Sequence, residues 1–392
     1  MSSRSEKFDI VIAGGGLVGL IAAVSLARQN LRVVLLDAGK APTYDAQAER
    51  ELRVSAISAE NLQWLESLQI LPHVDRERIG IYRHMQVWDN ASSAAIDFSA
   101  PALPHGYLGA IIENRHLQQA AWQQIQAESV TLRYAQKITE FNDLGSRIEV
   151  ITESGDTYRT QLLVAADGAN SSIRQQLSVP VQHSSYGQYG IVGYIQCDKA
   201  PAETALQGFN CSGPIGLLPL GNGLFSYVWS MTEDRAEDWL NCDETRFLNA
   251  LKTVINRDLG QIELASQRAM FPLRGLLSQK FYQGRTVLCG DAAHVVHPMA
   301  GQGANLGIGD VKLLSEGLRQ SILKDDAQIQ LMLRRYQRRR YNQVRETSGL
   351  ISGLHGLFGS STPAVQWLRS TGMRTINRIT PLKQWLMHQA GS

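Results

Sequence analysis

Apolar residues in the first part of the chain fall into short runs that alternate with helical patterns. Runs bounded by glycine or acidic residues predict buried strands, and apolar positions at helical spacing predict the helices between them. The predicted strands are Phe8–Ala13, Arg32–Leu36, Thr131–Tyr134, Ile148–Thr152, Thr157–Leu163 and Leu162–Ala166. The predicted helices are a run from the glycines after Ala13 through Arg28, then Glu60–Leu68, Leu117–Glu128 and Ser172–Leu177. This alternation predicts an α/β domain with a parallel sheet.

The pattern changes between Val179 and Leu276. Strand-like segments at Gly190–Gln196, Gly216–Leu220 and Phe225–Met231 are separated by turn residues, and Glu244–Ile255 is helical, which predicts an antiparallel sheet insert. A buried strand at Thr286–Cys289 follows, then helix from about Ala304 to Leu357. We expect an α/β fold with a Rossmann-like nucleotide-binding domain (residues 5–178 and 277–325), an inserted, mainly antiparallel substrate domain (179–276) and a helical C-terminal region (326–392).

Composition adds a charge asymmetry to this picture. The chain has 392 residues, is 44% hydrophobic and has a net charge of +2, as is typical of a globular protein. Residues 328–392, however, contain ten Lys/Arg and one acid, so the first 327 residues carry −7. The four cysteines form no CxxC pair, so we expect neither zinc nor disulfides, and no other metal site. The apolar run Phe8–Ala27 is interrupted by Asp9 and three glycines, so we expect a cytoplasmic protein without a membrane span.

The first predicted strand leads into a dinucleotide-binding pattern, Gly-x-Gly-x-x-Gly, and the second predicted strand ends at an acid. In such motifs the first glycine makes a tight turn and the second leaves room for a pyrophosphate. The third lets the helix pack on the strand, and the acid holds a ribose hydroxyl. The expected nucleotide contacts are Gly14, Gly16, Leu17, Val18, Gly19 and Asp37.

Two further strand ends place an acid beside a glycine, at Asp167-Gly168 and at Gly290-Asp291. The carboxyl edge of an α/β sheet is where acids meet ligand hydroxyls. The glycine-rich segment Pro298–Asn305 follows, where backbone can approach a flat ligand closely. A helix that starts near Ala304 directs free N–H groups at this turn, which suits an electron-rich or anionic group.

Several of these segments resemble one family. His297–Asp310, HPMAGQGANLGIGD, closely resembles the signature of the ubiquinone-biosynthesis aromatic hydroxylases, and GDAAH resembles class A flavoprotein monooxygenases of the para-hydroxybenzoate-hydroxylase type. Further similar motifs are R-x-S-A-I from Arg53, E-N-R from Glu113, ADGANSSIR, F-P-L from Phe271 and the L-F-G…L-R-x-x-G tail. The family more often has Glu where this chain has Asp37.

The resemblance implies FAD as cofactor and NAD(P)H as a transiently bound electron donor, since only one dinucleotide fingerprint is present. It places Pro298, Gly301, Gln302 and Gly303 at the flavin ring, with no certain catalytic residue. His294 and His297 are the candidate bases, but structural roles are favoured. The family's further cofactor contacts correspond to Arg53, Arg115, Asp167, Gly168, Gly290, Asp291, Ala304 and Asn305.

The same resemblance implies hydroxylation of an aromatic ring through a flavin hydroperoxide formed with O2. The insert lacks charge clusters and offers apolar and aromatic side chains, which suit a pocket for an apolar phenol. We expect a pocket that includes Leu217, Tyr227, Trp229, Phe271 and Pro272. The predicted substrate is a polyprenylated phenol of ubiquinone biosynthesis. Alternatives are hydroxylation of another, soluble aromatic and a non-catalytic FAD-binding scaffold subunit of a ubiquinone-synthesis complex.

The C-terminal region combines a cluster of arginines from Arg334 to Arg345 with an apolar stripe from Leu350 to Phe358. A charge run is usually a solvated helix face, and contact with anionic lipid or a partner is the alternative. We therefore hold peripheral attachment to the inner face of the cytoplasmic membrane, and contact with other ubiquinone-synthesis proteins, as hypotheses. Homo-oligomerisation is left open, and nucleic-acid binding is not expected because no aromatic–basic platform is present.

Overall fold

A computed structural model describes residues 5–43, 45, 49–92, 94–100, 105–210, 213–297, 301–360, 362–379 and 383. The strands are β1 Ser5–Lys7, β2 Ile10–Ala13, β3 Val33–Leu36, β4 Val54–Ser58, β5 Gly80–Tyr82, β6 His84–Asp89, β7 Ala95–Ser99, β8 Gly109–Glu113, β9 Val130–Arg133, β10 Ile138–Asp143, β11 Ile148–Thr152, β12 Thr157–Thr160, β13 Leu162–Ala165, β14 Val181–Cys197, β15 Thr204–Phe209, β16 Ile215–Gly221, β17 Leu224–Met231, β18 Ile262–Leu264, β19 Ala269–Ser278, β20 Tyr282–Gln283, β21 Thr286–Leu288 and β22 His294–Val295. The helices are α1 Leu17–Ala27, α2 Ala59–Ser67, α3 Asn114–Ile125, α4 Ser172–Gln176, α5 Glu233–Asn241, α6 Glu244–Ile255, α7 Gln302–Gly317, α8 Gln320–Leu323, α9 Asp326–Gly359 and α10 Pro363–Arg378.

The nucleotide-binding sheet has the order β20-β21-β13-β2-β3-β9, and all its neighbours are parallel except β20 and β21. Every residue of β2, β3 and β13 is buried, as the unbroken apolar runs predicted. Because these strands are parallel, their carboxyl ends meet at one edge of the sheet. Gly14, Asp37 and Asp167, which come after these ends, therefore lie close together. The predicted α/β fold is confirmed.

The inserted sheet has the order β22-β19-β14-β17-β16-β15-β6-β7, with β18 also paired to β14. Its central neighbours are antiparallel, as predicted, but β15 and β6 are parallel. Residues 84–99, which we expected in the nucleotide-binding domain, form β6 and β7 and extend the inserted sheet. The difference arises because strand pairing over more than 100 residues of separation leaves no local pattern in the sequence.

A small sheet, β4-β8-β5, lies between the two larger ones. Ala56 of β4 and Ile111 of β8 form a buried cluster with Tyr194 of β14 and Leu220 of β16. The segment after Arg53, for which we predicted no strand, thereby joins the nucleotide-binding domain to the inserted sheet.

The C-terminal helices pack onto both domains. Leu333 and Tyr336 of α9 belong to the main core, and Met373 of α10 is buried against Ile96 of β7. Arg369 and Asp89 form an ion pair in which each side chain is 2% exposed. The C-terminal region is therefore part of the globule, and no helix among the described residues is long and apolar enough to cross a bilayer.

Candidate functional site

The glycine turn after β2 has the geometry of a dinucleotide-binding loop. Gly14 has φ +103°, and a Cβ on it would lie 2.3 Å from the carbonyl oxygen of Ala166. A Cβ on Gly19 would lie 1.9 Å from the Gly14 carbonyl oxygen, so the contact between helix α1 and the turn requires glycine there. Gly16 differs, because a Cβ on it would meet no described atom within 4 Å. The open space beside Gly16, at the start of α1, matches the predicted site for a pyrophosphate.

Asp37 lies next to this turn at the end of β3. Its carboxylate accepts hydrogen bonds from the backbone N–H groups of Gly15 and Gly39. The Gln118 side chain of α3 donates to the Gly15 carbonyl oxygen at 3.0 Å, a contact that the sequence analysis missed because no motif marks Gln118. A cavity of about 330 Å³ adjoins the turn. Its lining includes Gly14, Gly16, Leu36, Asp37, Lys137, Asp167 and Gly168.

Asp167 and Gly168 form the second wall of this cavity. Gly168 has φ +84°, which favours glycine. One carboxylate oxygen of Asp167 accepts from the backbone N–H of Ile173 at 3.3 Å. The other is buried and has no hydrogen-bond partner among the described residues. A buried carboxylate oxygen without a donor is costly, so this atom is suited to a ligand hydroxyl.

Arg174 connects this segment to the Gly290 turn. It is buried and donates to the carbonyl oxygens of Ala292 at 2.9 Å and Ala169 at 2.7 Å. The two acid–glycine motifs, which are far apart in sequence, are therefore held together by one side chain. The ADGANSSIR match contains Arg174, but its sequence context does not indicate this bridging role.

Asp291 follows Gly290, which has φ +59°. The Asp291 side chain is exposed, yet the surrounding protein raises its pKa through desolvation, partly offset by the charges of His294 and Arg53. Arg53 is therefore near Asp291. Without a ligand, the ionised form of the Asp291 carboxylate is therefore destabilised.

Arg53 and Arg115 lie at the same end of the β4–β8 pair. The backbone N–H of Asn114, next to Arg115, donates to the Arg53 carbonyl oxygen at 2.9 Å. Both arginine side chains are exposed, and Arg115 is in the first turn of α3. Beneath them, buried Glu113 binds Arg78 in a two-bond ion pair. The two exposed guanidinium groups are positioned to meet an anionic ligand.

The glycine-rich segment begins helix α7. Gly301 precedes the helix with φ +63°, and no side chain of the described residues caps the helix there. Gly303 and Ala304 lie in the first turn, and a Cβ on Gly303 would meet no atom of the described chain within 4 Å. Gln302 contributes helix backbone, and Pro298 lies outside the described residues. The helix start thus presents uncapped N–H groups beside open space, as predicted for a flat, electron-rich ligand.

Asn305 and Gly307 make packing contacts and do not face open space. The Asn305 side chain is 5% exposed, donates to the Ala56 carbonyl oxygen at 2.7 Å and accepts from the Ser58 N–H at 2.9 Å. A Cβ on Gly307 would lie 2.7 Å from the Val18 side chain. Asn305 therefore fixes α7 against β4, and Gly307 fixes α7 against α1. We had expected Asn305 to face a ligand.

The two histidines of the segment are buried. His294 hydrogen-bonds Asp310 at 2.6 Å, and the His297 ring makes an edge contact with the Tyr186 ring at 4.8 Å. These contacts support the structural role that we favoured for His294.

The inserted sheet presents two different faces. Leu217, Tyr227 and Trp229 lie within a core cluster with Phe247 and Leu251 of α6, and each is at most 1% exposed. Pro272 is exposed opposite Tyr189, on the same helix-covered face. These four residues do not line an open pocket. The prediction failed because alternation along a strand identifies two faces but does not say which one helices cover.

Phe271 points to the other face, with Gly190 opposite it on β14. Cross-strand pairing places Tyr194, Leu218, Ser226 and Val228 on this face as well. No charged residue occupies this face at the described positions of β14, β16, β17 and β19 that pair with these residues. This apolar surface, which we call the open sheet face, includes Tyr194, which packs on Ala56 beside the α7 start.

Residues 7–348 match the family model of the FAD binding domain, so the chain belongs to the FAD-dependent aromatic monooxygenases. It is 32% identical over 439 residues to the ubiquinone biosynthesis monooxygenase COQ6 of Danio rerio, covering 98% of this chain and 90% of that protein. It is 30% identical to the 3-demethoxyubiquinol 3-hydroxylase of Escherichia coli K12, covering 98% and 99%. The fold is similar to that of pqsL, a probable FAD-dependent monooxygenase from Pseudomonas aeruginosa (TM-score 0.77, 22% identity, 94% and 100% covered).

The residues present fit FAD. The space beside Gly16 and Gly303, the unpaired oxygen of Asp167 and the uncapped start of α7 supply what a dinucleotide with a flat, electron-rich ring needs. No group of His, Cys, Asp and Glu that could hold a metal occurs in the described ranges.

Proposed function

We propose that the chain hydroxylates the ring of a polyprenylated phenol in ubiquinone biosynthesis, with NAD(P)H and O2 as co-substrates. The observation that carries this proposal is the uncharged, apolar open sheet face next to the predicted flavin position. Relatives that align over nearly the whole chain include a ubiquinone biosynthesis monooxygenase and a 3-demethoxyubiquinol 3-hydroxylase, which supports the substrate class.

In this proposal the Gly14–Gly19 turn and Asp37 hold the adenosine diphosphate half of FAD. Asp167 and Asp291 would hold the hydroxyls of the connecting chain, and the backbone from Gly301 to Ala304 would contact the ring. The bound flavin supplies the oxygen activation, so the protein's contribution is placement and exclusion of water. The N–H groups at the start of α7 would stabilise negative charge on the ring, because they are already oriented towards it.

The open sheet face holds the substrate ring. Leu218, Val228 and Phe271 supply apolar contacts, and Ser226 supplies the one polar contact that we assign. Ser226 is fully buried, and its Oγ has no hydrogen-bond partner among the described residues. It pairs with Tyr194 on one neighbouring strand and with Leu218 on the other. We assign its hydroxyl to a ring oxygen of the phenol.

The test is NAD(P)H oxidation by the purified FAD-loaded protein with and without a short-chain prenylphenol. The proposal expects oxidation to rise at least tenfold with the prenylphenol. Equal stimulation by soluble phenols without a prenyl chain would favour the other hydroxylase. If the protein binds flavin but no phenol stimulates NAD(P)H oxidation, the scaffold subunit is favoured. Either result would overturn the proposed substrate.

We further propose that the protein attaches peripherally to an anionic membrane through α10. An α-helix rotates by about 100° per residue. One side of α10 therefore carries Trp367, Leu368, Arg374 and Arg378, and the opposite side carries buried Arg369 and Met373. Trp367 is 68% and Leu368 59% exposed. An exposed aromatic–basic face suits the boundary between headgroups and acyl chains.

The sequence analysis considered the stripe from Leu350 to Phe358 as part of a membrane-contacting surface. The structure does not support this role. Ile351 is buried, and Phe358 stacks on Phe209 with ring centroids 3.7 Å apart. Of this stripe, Leu350 is the strongly exposed member, at 55%. Helix α9 therefore uses most of its apolar stripe for packing within the protein.

Vesicle flotation tests the membrane proposal. Trp367→Ser/Leu368→Ser should lower binding to phosphatidylglycerol-containing vesicles at least fivefold, and a zwitterionic vesicle should bind the wild type weakly. Leu144→Ser is the matched control, since Leu144 is 53% exposed in another part of the molecule. Unchanged flotation of the double variant would contradict lipid contact by α10 and would leave this face to a protein partner or a second copy.

A further inference from the structure

Asp310, the last residue of the glycine-rich signature, is completely buried among donors from three segments. It accepts from the Gly290 N–H at 2.8 Å, from His294 Nε2 at 2.6 Å and from Arg340 Nε at 2.6 Å. Gly290 and His294 lie on either side of Asp291, the carboxylate that faces the proposed flavin position. Asp310 therefore holds both ends of the Asp291 turn.

Arg340 makes a second contact with helix α7, the helix to which Asp310 itself belongs. Its second guanidinium nitrogen donates to the Leu306 carbonyl oxygen at 2.7 Å, in the second turn of α7. The guanidinium lies so close to Gly309 that a Cβ there would be 3.0 Å from Nη1. Gly309 of the signature thus makes room for Arg340, which is only 3% exposed although it belongs to the arginine cluster that we expected to be solvated.

The position of Arg340 follows from the inward side of α9. Leu333, Tyr336, Arg340 and Val344 recur at intervals of three or four residues, and all four are buried. The Tyr336 hydroxyl donates to the Leu288 carbonyl oxygen at 2.8 Å, at the end of β21. Helix α9 therefore fixes both the strand that leads to Gly290 and the turn that follows it.

The charges of this network depend on one another. Complete burial tends to raise the pKa of Asp310, but His294, Arg340 and the hydrogen bonds from His294 and Gly290 lower it below its ordinary value. Asp310 is therefore ionised, and it compensates the buried guanidinium. Loss of one partner leaves the other charge buried and unpaired, which displaces the surrounding backbone or admits water.

We infer that Arg340 and Asp310 are positioning residues of the flavin site, and that they set the Asp291 turn and the start of α7 in the geometry that binds FAD. Neither side chain touches the cofactor in this account. The inference rests on the proposed placement of the flavin against Asp291 and Gly303. It makes the C-terminal helix α9 a component of the flavin site.

The experiment compares FAD affinity of the apoprotein, measured by quenching of flavin fluorescence, with thermal unfolding of the same apoprotein. The variants are Arg340→Met, the milder Arg340→Lys, Asp310→Asn and the double variant Arg340→Met/Asp310→Asn. Arg369→Met is the matched control. The Arg369–Asp89 pair is equally buried, but Asp89 is on β6, at the opposite end of the inserted sheet from β22 and the Asp291 turn.

We expect Arg340→Met and Asp310→Asn each to weaken FAD binding at least tenfold, and the double variant to lose less than the product of the two. Arg340→Lys should recover part of the affinity, because lysine keeps the charge but not the forked contact with Asp310 and Leu306. The visible circular dichroism of the residual bound flavin should change in each variant. Arg369→Met should unfold at a lower temperature with FAD affinity within twofold of wild type.

Normal FAD affinity in Arg340→Lys and Asp310→Asn, with only a lower unfolding temperature, would overturn the inference. Equal loss of affinity in Arg369→Met would also overturn it, because any buried ion pair would then suffice. If Arg340→Met fails to fold, the two milder variants decide. Failure of the wild type to bind FAD at all would instead refute the proposed flavin site, so the two failures are distinguishable.

Discussion

Tyr194 and Ser226 are paired across β14 and β17 on the open sheet face, whereas Tyr227, the next residue along β17, points to the opposite face and packs beneath α6. This one-residue difference decides which side chains can meet a substrate. The polar atom that we assign to the substrate is therefore the Ser226 hydroxyl, and the Tyr227 hydroxyl belongs to the core beneath α6.

Ser226→Ala should raise the KM for a prenylphenol about threefold to tenfold, the range expected for one neutral hydrogen bond. FAD affinity should not change. Ser278→Ala is the control, because the Ser278 hydroxyl is also buried without a partner among the described residues but lies on β19 near β22. Equal KM values for wild type and Ser226→Ala would remove Ser226 from the substrate site.

Tyr227→Phe should leave KM unchanged and keep or slightly raise the stability of the protein. The Tyr227 hydroxyl is buried with no hydrogen-bond partner within the described chain, so its removal relieves a desolvation cost. Steady-state kinetics and thermal unfolding check both parts. A large rise in KM would show that the helix-covered face contacts substrate after all, as the sequence analysis had expected.

The substitution Gly303→Ala distinguishes an effect on protein stability from an effect on FAD binding. A Cβ at this position meets nothing within 4 Å in the part of the chain that the structure describes, and alanine favours helix by up to about 1 kcal/mol. The apoprotein should therefore be as stable as wild type or more stable, while FAD binding weakens tenfold or more because the methyl group occupies flavin space.

Gly19→Ala provides the contrast. Its Cβ would lie 1.9 Å from the Gly14 carbonyl oxygen, so the apoprotein itself should lose roughly 1–3 kcal/mol of stability. Thermal unfolding without cofactor distinguishes the two substitutions. A destabilised Gly303→Ala apoprotein with normal FAD affinity would contradict the position that we give to the flavin.

Asp291→Asn should stabilise the apoprotein at neutral pH but weaken FAD binding roughly tenfold to a hundredfold, the range for a hydrogen bond to a charged group. Desolvation by the surrounding protein raises the folded-state pKa of Asp291 above that of the unfolded chain, so ionisation costs stability above the unfolded pKa of about 3.9. The gain from Asp291→Asn should therefore disappear as the pH falls below about 4. Apoprotein unfolding at several pH values checks the sign, and a loss of stability at pH 7 would contradict it.

Local patterns predicted the nucleotide-binding half well, because its elements depend on residues close in sequence. The strand before Gly14, the turn and the helix after it appear as predicted. In the insert, the predicted helix Glu244–Ile255 also has the same bounds in the structure. Helix α5 was not predicted, and Ala236 is the one buried residue among its nine.

Long-range pairing explains what the sequence did not predict. The addition of β6 and β7 to the inserted sheet, and the covered face at Trp229, depend on contacts between distant segments. The burial of Arg340 could be predicted in part, because Arg340 falls in the apolar repeat of α9 at a position where a solvated charge is unexpected. Its partner Asp310 could not be identified without the fold.

The most direct test of the central claim is the mass of the product formed from a short-chain prenylphenol with NADH and isotopically labelled O2. We predict a product that keeps the prenyl chain and carries one labelled oxygen on the ring, formed by the FAD-loaded protein and not by the apoprotein. NADH consumption that yields only hydrogen peroxide, or a product without the label, would contradict an aromatic hydroxylase acting on this substrate.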